Sequence, residues 1–280
     1  MGSSTISLGL GLGGGKSATS SGSPGGGGAF ANVLSLNFDG TNDALDLGAT
    51  FQSTFTSAFS VSLWYKQDSA TGARTLFGVR KAATDVVTAY INANAIFVWY
   101  EANNRKQQSS FPETSDTNWH HFCVTVQQDG LYVDVKLYLD GVYRKLIRGG
   151  GAIADYTNTA NLFIGARNYA DGTIDSYFSG LIDEVGIFST ALSDDGISID
   201  ADAGGVIAEI YNDGVPTTMP TDDLVSNYRM GDGIGDTESG GGAPANGDSV
   251  GTIVDQGDGG NNGTQSTASA RPTFSSTVPS

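Results

Sequence analysis

Strict alternation of apolar and polar residues over short runs constrains this chain more than any other feature. In Phe59-Ser-Val-Ser-Leu-Trp-Tyr-Lys66, the residues Phe59, Val61, Leu63 and Tyr65 fall on one side. Phe122, Val124 and Val126 repeat the pattern. In Tyr132–Leu139, Val133, Val135, Leu137 and Leu139 face one way, while Asp134, Lys136 and Tyr138 face the other. A period of two is what a strand with one buried face requires. Asp129-Gly130 and Asp140-Gly141 separate such runs and read as hairpin turns, because these residue types tolerate positive φ. Further runs cover Ile96–Tyr100, Leu162–Ile164 and Phe178–Phe188. Many short strands with Gly/Asp turns and little helix predict an all-β, two-sheet antiparallel sandwich. One short helix is expected late in the chain. Ser193-Asp-Asp reads as its cap, Val206, Ile207, Ile210 and Tyr211 have helical spacing, and Asn212-Asp-Gly214 stops it. Leu224 and Tyr228 predict a segment that returns to pack on the sandwich.

Composition divides the chain into three parts. Residues 1–32 are rich in Gly and Ser and cannot form a core alone. Residues 33–229 carry nearly all the aromatic and aliphatic side chains, and residues 230–280 return to Gly, Asp, Ser and Thr and read as an extension. The net charge of −16 argues against nucleic acid, whose phosphates need clustered Lys and Arg, and against anionic membrane surfaces. It is compatible with divalent cations. No apolar run is long enough to span a bilayer. The opening Met1-Gly-Ser-Ser lacks the basic start of a secretory signal, so synthesis in a cytoplasm without general secretion is expected. The single cysteine, Cys123, excludes an internal disulfide and reads as a small core residue.

Several polar and aromatic residues invite a functional reading. By strand parity Asp183 shares a face with Leu181, Val185 and Ile187. A carboxylate there needs backbone donors or a hard cation. His120 shares a face with Phe122 and Val124 and is expected to be a core histidine with a backbone partner. Its neighbour His121 points to the opposite face, so the two cannot chelate one metal. Trp64, Trp99, Tyr100, Tyr138, Tyr143 and Tyr169 are candidates for a sugar-stacking surface. Of these, Trp64 and Tyr138 alternate away from the clearest apolar faces and are the preferred ligand-binding residues. Leu8, Leu10 and Leu12 alternate with glycine, and such a strand can add to the sheet edge of a partner.

The order of motifs resembles the laminin-G-like, concanavalin A-like jelly-roll family. Six motifs carry the likeness: Leu36-Asn-Phe-Asp-Gly-Thr-Asn-Asp43, Ser60-Val-Ser-Leu-Trp64, Asn118-Trp-His-His-Phe-Cys-Val-Thr125, Lys136-Leu-Tyr-Leu-Asp-Gly141, Asn161-Leu-Phe-Ile-Gly165 and Phe178–Phe188. The resemblance implies a lectin-like jelly roll with a binding or adhesion role. It also implies a structural calcium held by Asp39, the Gly40 carbonyl and Asp183, with Asp43 a possible fourth ligand, clamping the first and last strands. Glucanases of this fold carry Glu-x-Asp-x-x-Glu, and none of Glu101, Glu113, Glu184, Glu209 and Glu238 sits in that pattern, so no catalytic residue is expected. The glycine-rich start and Tyr228-Arg-Met-Gly-Asp-Gly233 resemble modules on structural proteins of bacterial viruses. The expectation is therefore a non-catalytic virion protein, a head decoration or fibre component. It would be homo-oligomeric, anchored to other virion proteins through Leu8, Leu10 and Leu12, and would display its sandwich to host-surface glycan. The alternatives are a bacterial cell-surface or secreted carbohydrate-binding module and, third, a polysaccharide-active enzyme.

Overall fold

The computed structural model describes residues 30–68, 74–81, 84–92, 95–103, 105–112, 116–195 and 202–280. Its strands in the first half are β1 (Ser35–Asp39), β2 (Leu45–Asp46), β3 (Phe59–Gln67), β4 (Arg74–Lys81), β5 (Thr84–Asn92), β6 (Ala95–Ala102), β7 (Arg105–Pro112) and β8 (His120–Asp129). Then come β9 (Tyr132–Leu139), β10 (Val142–Gly150), β11 (Phe163–Ile164), β12 (Arg167–Tyr169), β13 (Ile174–Asp175) and β14 (Ser179–Phe188). The chain ends with β15 (Leu224–Tyr228), β16 (Thr237–Glu238), β17 (Val250–Ile253), β18 (Gly263–Thr264) and β19 (Thr273–Ser275). Two short helices, α1 (Gln52–Phe55) and α2 (Gly205–Tyr211), interrupt them.

These strands form the expected sandwich. Sheet A runs β10-β9-β8-β3-β14-β1-β19, with β15 paired to β14. Sheet B runs β16-β17-β18-β2-β11-β4-β5-β6-β7, with β12 and β13 at the side of β4. The alternation read from sequence decides what lies between them. Phe59, Val61, Leu63 and Tyr65 of β3, Phe122, Val124 and Val126 of β8, and Val133, Val135, Leu137 and Leu139 of β9 all join the main core. Sheet B meets them with Val87, Ala89 and Ile91 of β5 and Ile96, Val98 and Tyr100 of β6. Each fully buried side chain of this size contributes roughly 1.5–3 kcal/mol.

The hairpins form where Asp-Gly pairs stand. Leu139 pairs with Val142 across Asp140 (φ 53°) and Gly141 (φ 69°), the positive φ pair of a two-residue hairpin turn. Gly141 is required for a second reason: a Cβ there would lie 2.5 Å from Cδ1 of Tyr211 on α2. Strands β4 and β5 escaped the sequence pattern. Their alternation is broken by register shifts between Thr75 and Phe77 and between Arg80 and Lys81, and by the adjacent Val86 and Val87.

Residues 230–280, which composition sets apart, are not separate from the sandwich. β19 pairs with β1, placing Phe274 opposite Leu36. β18 pairs with β2, extending sheet B through β17 and β16. Met230, Val250, Ile253 and Phe274 are buried in the same core as Leu36 and Phe38. A few well-spaced apolar residues in a glycine-rich background suffice to seal the edges of β1 and β2. The expected returning segment is β15, with Tyr228 opposite Val185.

The late helix ends as expected: Asn212 takes the left-handed conformation (φ 45°, ψ 52°) at the C-cap. Its start differs. Ser193 does not begin the helix but reaches it through space, its Oγ accepting the Val206 N–H at 3.3 Å. Asp194 turns instead to the outer face of sheet A, where its carboxylate accepts from the Tyr138 hydroxyl and from Lys136.

Candidate functional site

The outer face of sheet A is closed. Trp64 and Tyr138 do alternate away from the main core, but α2 and its flanking chain cover them. Tyr138 is fully buried in a second core with Cys123, Tyr143, Phe188, Leu192, Ile207 and Ile210. Trp64 is 2% exposed, stacked on Tyr211 at 5.9 Å and packed on His121 at 5.1 Å. The pair is therefore not an open sugar-stacking surface. Outward parity identified the face correctly, but the helix that lies on it is encoded some 70 residues away in sequence from Tyr138. Cys123 is buried and free, and burial pushes its thiol up.

The two histidines point to opposite faces, as strand geometry requires, and their environments differ sharply. His121 is fully buried; its Nε2 lies 2.8 Å from the Ser62 hydroxyl, and burial pushes its pKa down to about 4. His120 was expected to find a backbone partner. It instead bridges two carboxylates, with Nδ1 2.8 Å from Asp140 and Nε2 2.9 Å from Asp116. Burial opposes its charge, but the hydrogen bonds to Asp140 and Asp116 outweigh it and raise the pKa to about 9. Both ring nitrogens then donate, and His120 is an imidazolium at neutral pH. Asp140 is thereby fixed: its second oxygen accepts the His121 N–H at 2.9 Å.

A cleft of about 350 Å³ opens beside this group, lined by Trp64, Lys66, Asn118, Trp119, Asp140, Tyr211, Gly214 and Ser280. Trp64 forms part of its wall, so one residue of the predicted ligand-binding pair does reach a cavity.

The predicted calcium set does not assemble. Asp39 lies opposite Ser179 in the β1–β14 register, and Asp183 is four residues further along, about 13 Å at strand rise. The Asp39-Gly40-Thr41-Asn42-Asp43 loop is internally satisfied. Oδ1 of Asp39 accepts the N–H groups of Thr41 (2.8 Å), Asn42 (3.2 Å) and Asp43 (3.4 Å), while Asp43 accepts that of Asp39 at 3.0 Å. Burial pushes the Asp43 carboxyl up to about 6, against the backbone hydrogen bond it accepts. Gly40 is there for close approach: a Cβ would sit 2.7 Å from the Ser179 side chain. Asp39, Gly40, Asp43 and Asp183 thus do not fit one ion that needs six or more oxygens. Among the described residues no group of three or more His, Cys, Asp and Glu side chains is placed to hold a metal.

Asp183 itself sits differently from its predicted place. The β14–β3 register slips between Asp183 and Gly186, and Glu184 takes positive φ (44°). This bulge inverts the parity of the strand. Ile182, Val185 and Ile187 enter the core, whereas Asp183, opposite Trp64, does not. Asp183 and Glu184 are nonetheless 0% and 1% exposed, because the segment leading into β1 lies over them. Arg229 holds that segment. Its guanidinium bonds Glu184 at 3.1 Å, donates to the Ala31 carbonyl and stacks on Phe30 at 4.3 Å, while Asp232 accepts the Val33 N–H at 2.7 Å. Burial pushes both carboxyls up, Asp183 further because of the Glu184 charge, while Arg229 holds Glu184 back.

The outer face of sheet B, by contrast, carries half-buried aromatic side chains with no helix among the described residues laid across it. Tyr90 and Phe97 stand opposite each other and stack at 5.0 Å with an interplanar angle of 9°. Trp99, next along the same side of β6, donates its indole N–H to Glu101 at 2.9 Å and carries the Arg80 guanidinium 4.5 Å above its ring. Arg80 also lies 5.4 Å from the Tyr169 ring of β12, and Arg167, held by Asp175 at 2.9 Å, lies 5.2 Å from the same ring. Sequence reasoning named Trp99 and Tyr169 among candidates but missed Tyr90 and Phe97. The signal was present: with Ile96, Val98 and Tyr100 inward, the residues Phe97, Trp99 and Glu101 must face outward. The proposed anchoring residues Leu8, Leu10 and Leu12 lie outside the described residues.

A family comparison agrees with this architecture. Residues 39–198 match the model of the concanavalin A-like lectin/glucanases superfamily. Comparison with curated proteins finds no match. Among solved structures, the chain is similar to the CBM40 of Ruminococcus gnavus IT-sialidase, at 18% identity and a TM-score of 0.47, covering 59% of this chain and 96% of that one. A SAP-like pentraxin from Limulus polyphemus gives 14% identity and a TM-score of 0.44, over 57% and 78% of the two chains. Mouse laminin α1 domains LG4-5 give 16% and 0.42, over 61% and 47%. Five of the six sequence motifs fall on strands of sheet A and one on β11 of sheet B; the family match spans more than half of the chain, and the protein belongs to the concanavalin A-like lectin/glucanase superfamily.

Proposed function

We propose that this protein is a non-catalytic glycan-binding domain whose binding surface is the outer face of sheet B. The observation that carries the reading is the row of Tyr90, Phe97 and Trp99 on one side of β5 and β6, with Arg80 seated over Trp99. Sugar rings present C–H faces that pack on aromatic rings, and their hydroxyls take hydrogen bonds from neighbouring polar groups. Here Arg80, Gln108 and Glu101 stand beside the rings; Gln108 bonds the Tyr90 hydroxyl at 3.3 Å. Sheet A offers no such face, because α2 covers it. The adjacent carboxyls Asp183 and Glu184 lie beneath the segment leading into β1, out of reach of a glycosidic bond.

The test is a glycan array probed with the wild type and with Phe97→Ala and Trp99→Ala. Both variants should lose the signal while melting within a few degrees of wild type; binding retained by both would exclude this face. A reducing-sugar assay on the array's positive glycans should show no turnover. Display on a virion or cell surface is the setting this reading suits, with residues 1–29 as the attachment. Their deletion should leave glycan binding intact and abolish co-assembly with particles.

A further inference from the structure

We propose that residues 30–33, the segment leading into β1, form a proton-locked latch: they stay closed over Asp183 and Glu184 while that pair keeps a proton, and they lift when the pair ionises. The glycan-binding reading plays no part in this. The latch lies where the sandwich joins residues 1–29. Charge is unbalanced there. Asp183 and Glu184 are fully buried, and the charged groups that face them are Arg229, at the end of β15, and Asp232 and Asp236 in the turn that follows. From β3 comes Trp64, opposite Asp183, and from the covering segment comes Asn32. Four carboxyls thus stand against one guanidinium.

Hydrogen bonding separates the four. Asp236 accepts the N–H groups of Gly231, Gly233 and Val254, and Asp232 those of Val33 and Leu34. The buried pair is served on one side only. Oδ1 of Asp183 accepts the Glu184 N–H at 2.9 Å, and Oε1 of Glu184 accepts from Arg229 at 3.1 Å. Oδ2 of Asp183 and Oε2 of Glu184 are buried with no hydrogen-bond partner among the described residues. Asn32 faces Asp183 without completing a bond. A bare ionised oxygen in such a place is costly, so the carboxyl keeps its proton instead. Burial accordingly pushes Glu184 up to about 7 and Asp183 well above the usual carboxylate range.

What gives way on ionisation is the cover. β14 lies between β3 and β1 in sheet A, and its Ile182 and Val185 are in the main core. The segment, by contrast, is held by the bonds of Asp232 to Val33 and Leu34, by that of Arg229 to the Ala31 carbonyl, and by Phe30 on the guanidinium. Lifting it brings water to the carboxylates without disturbing the core, a local opening. In the open state the pair titrates in the ordinary range near pH 4. The latch is therefore tightest below that range and loosens as pH rises, through about 7 for Glu184 and further for Asp183. Four residues set free lengthen the tether to residues 1–29 by up to about 13 Å.

The experiment is hydrogen exchange on the full chain, read at the Val33 and Leu34 amides and corrected for intrinsic exchange rates. In the wild type their protection should fall about tenfold per pH unit between about pH 5 and 7, while amides of β3 and β8 keep theirs. The slope should shrink in Asp183→Asn and vanish in Asp183→Asn/Glu184→Gln, which has no pair left to titrate. A wild-type profile independent of pH, a fall shared equally by β3 and β8, or an unchanged slope in the double variant overturns the proposal. So does protection that falls toward acid, because Asp232 accepts both amides and its protonation would loosen the segment in that direction.

Discussion

His120 shows how a single side chain can hide its role from sequence. Strand parity places it on an apolar face, and it is indeed buried, but its partners are Asp116, four residues back, and Asp140, in the β9–β10 turn. Neither spacing is a motif. The consequence is a pH dependence with a defined sign. The folded pKa is raised from 6.5 to about 9. The stabilisation is therefore fully present below about pH 6.5 and is lost as pH rises through 9. At about 1.4 kcal/mol per unit it amounts to about 3 kcal/mol at most. In His120→Gln the difference in stability between pH 6.5 and pH 10 should shrink by that amount relative to wild type, as followed by urea denaturation. An unchanged pH profile would show that the two carboxylates do not charge the ring. Asp183 carries the opposite lesson. Its unusual status was legible, since a carboxylate within an apolar strand must be explained, but the explanation was not. A single extra residue, Glu184 at positive φ, reverses the parity on which the prediction stood.

At the scale of elements, what was legible follows the regularity of the pattern. β9 was read to its bounds, and β3 and β14 to within a residue, because each keeps one clean face or a distinctive motif, whereas β8 was placed by its motif but runs on to Asp129 beyond it. β4 and β5 carry register shifts that interrupt the alternation, and β16 to β19 are too short to show any. The functional face suffered for the same reason: Trp64 and Tyr138 were preferred because their strands alternate most cleanly, whereas Tyr90, on irregularly patterned β5, passed unnoticed. The helix α2 is the element that decides which sheet is open. It is seven residues long and has no side-chain cap of its own beyond Ser193, so its stability comes from packing rather than propensity. Ile207 and Ile210 are 0% and 1% exposed beneath it. Ile207→Ala should cost about 2–4 kcal/mol and increase acrylamide quenching of Trp64, in a background where the other two tryptophans are Phe. Quenching that stays at the wild-type level would mean that α2 is not what shields the ring.

For the whole molecule, the sandwich is completed by a segment whose composition disguises it. Phe274 is 1% exposed in the main core and lies opposite Leu36. Phe274→Ala should destabilise the fold by about 3–5 kcal/mol, measurable as a lower urea midpoint at unchanged slope. Truncation after Arg229 should be worse, since it uncovers the edges of β1 and β2 together with Leu36 and Leu45, and exposed edges associate. A soluble, monomeric truncation with native melting would show the C-terminal strands to be dispensable.

The pairing of β1 with β19 also sets an order of events in time. Ser35 donates its hydroxyl to the Thr277 carbonyl across 242 positions of chain, and among the described strands the other neighbour of β1 is β14. Contacts so distant in sequence are paid for in loop closure before they are rewarded, which slows folding. On a ribosome, the first strand of this domain therefore waits, half-paired, until its last strand has emerged. Until then the second edge of β1 stays open, and it is the stretch of the nascent domain most exposed to wrong pairing.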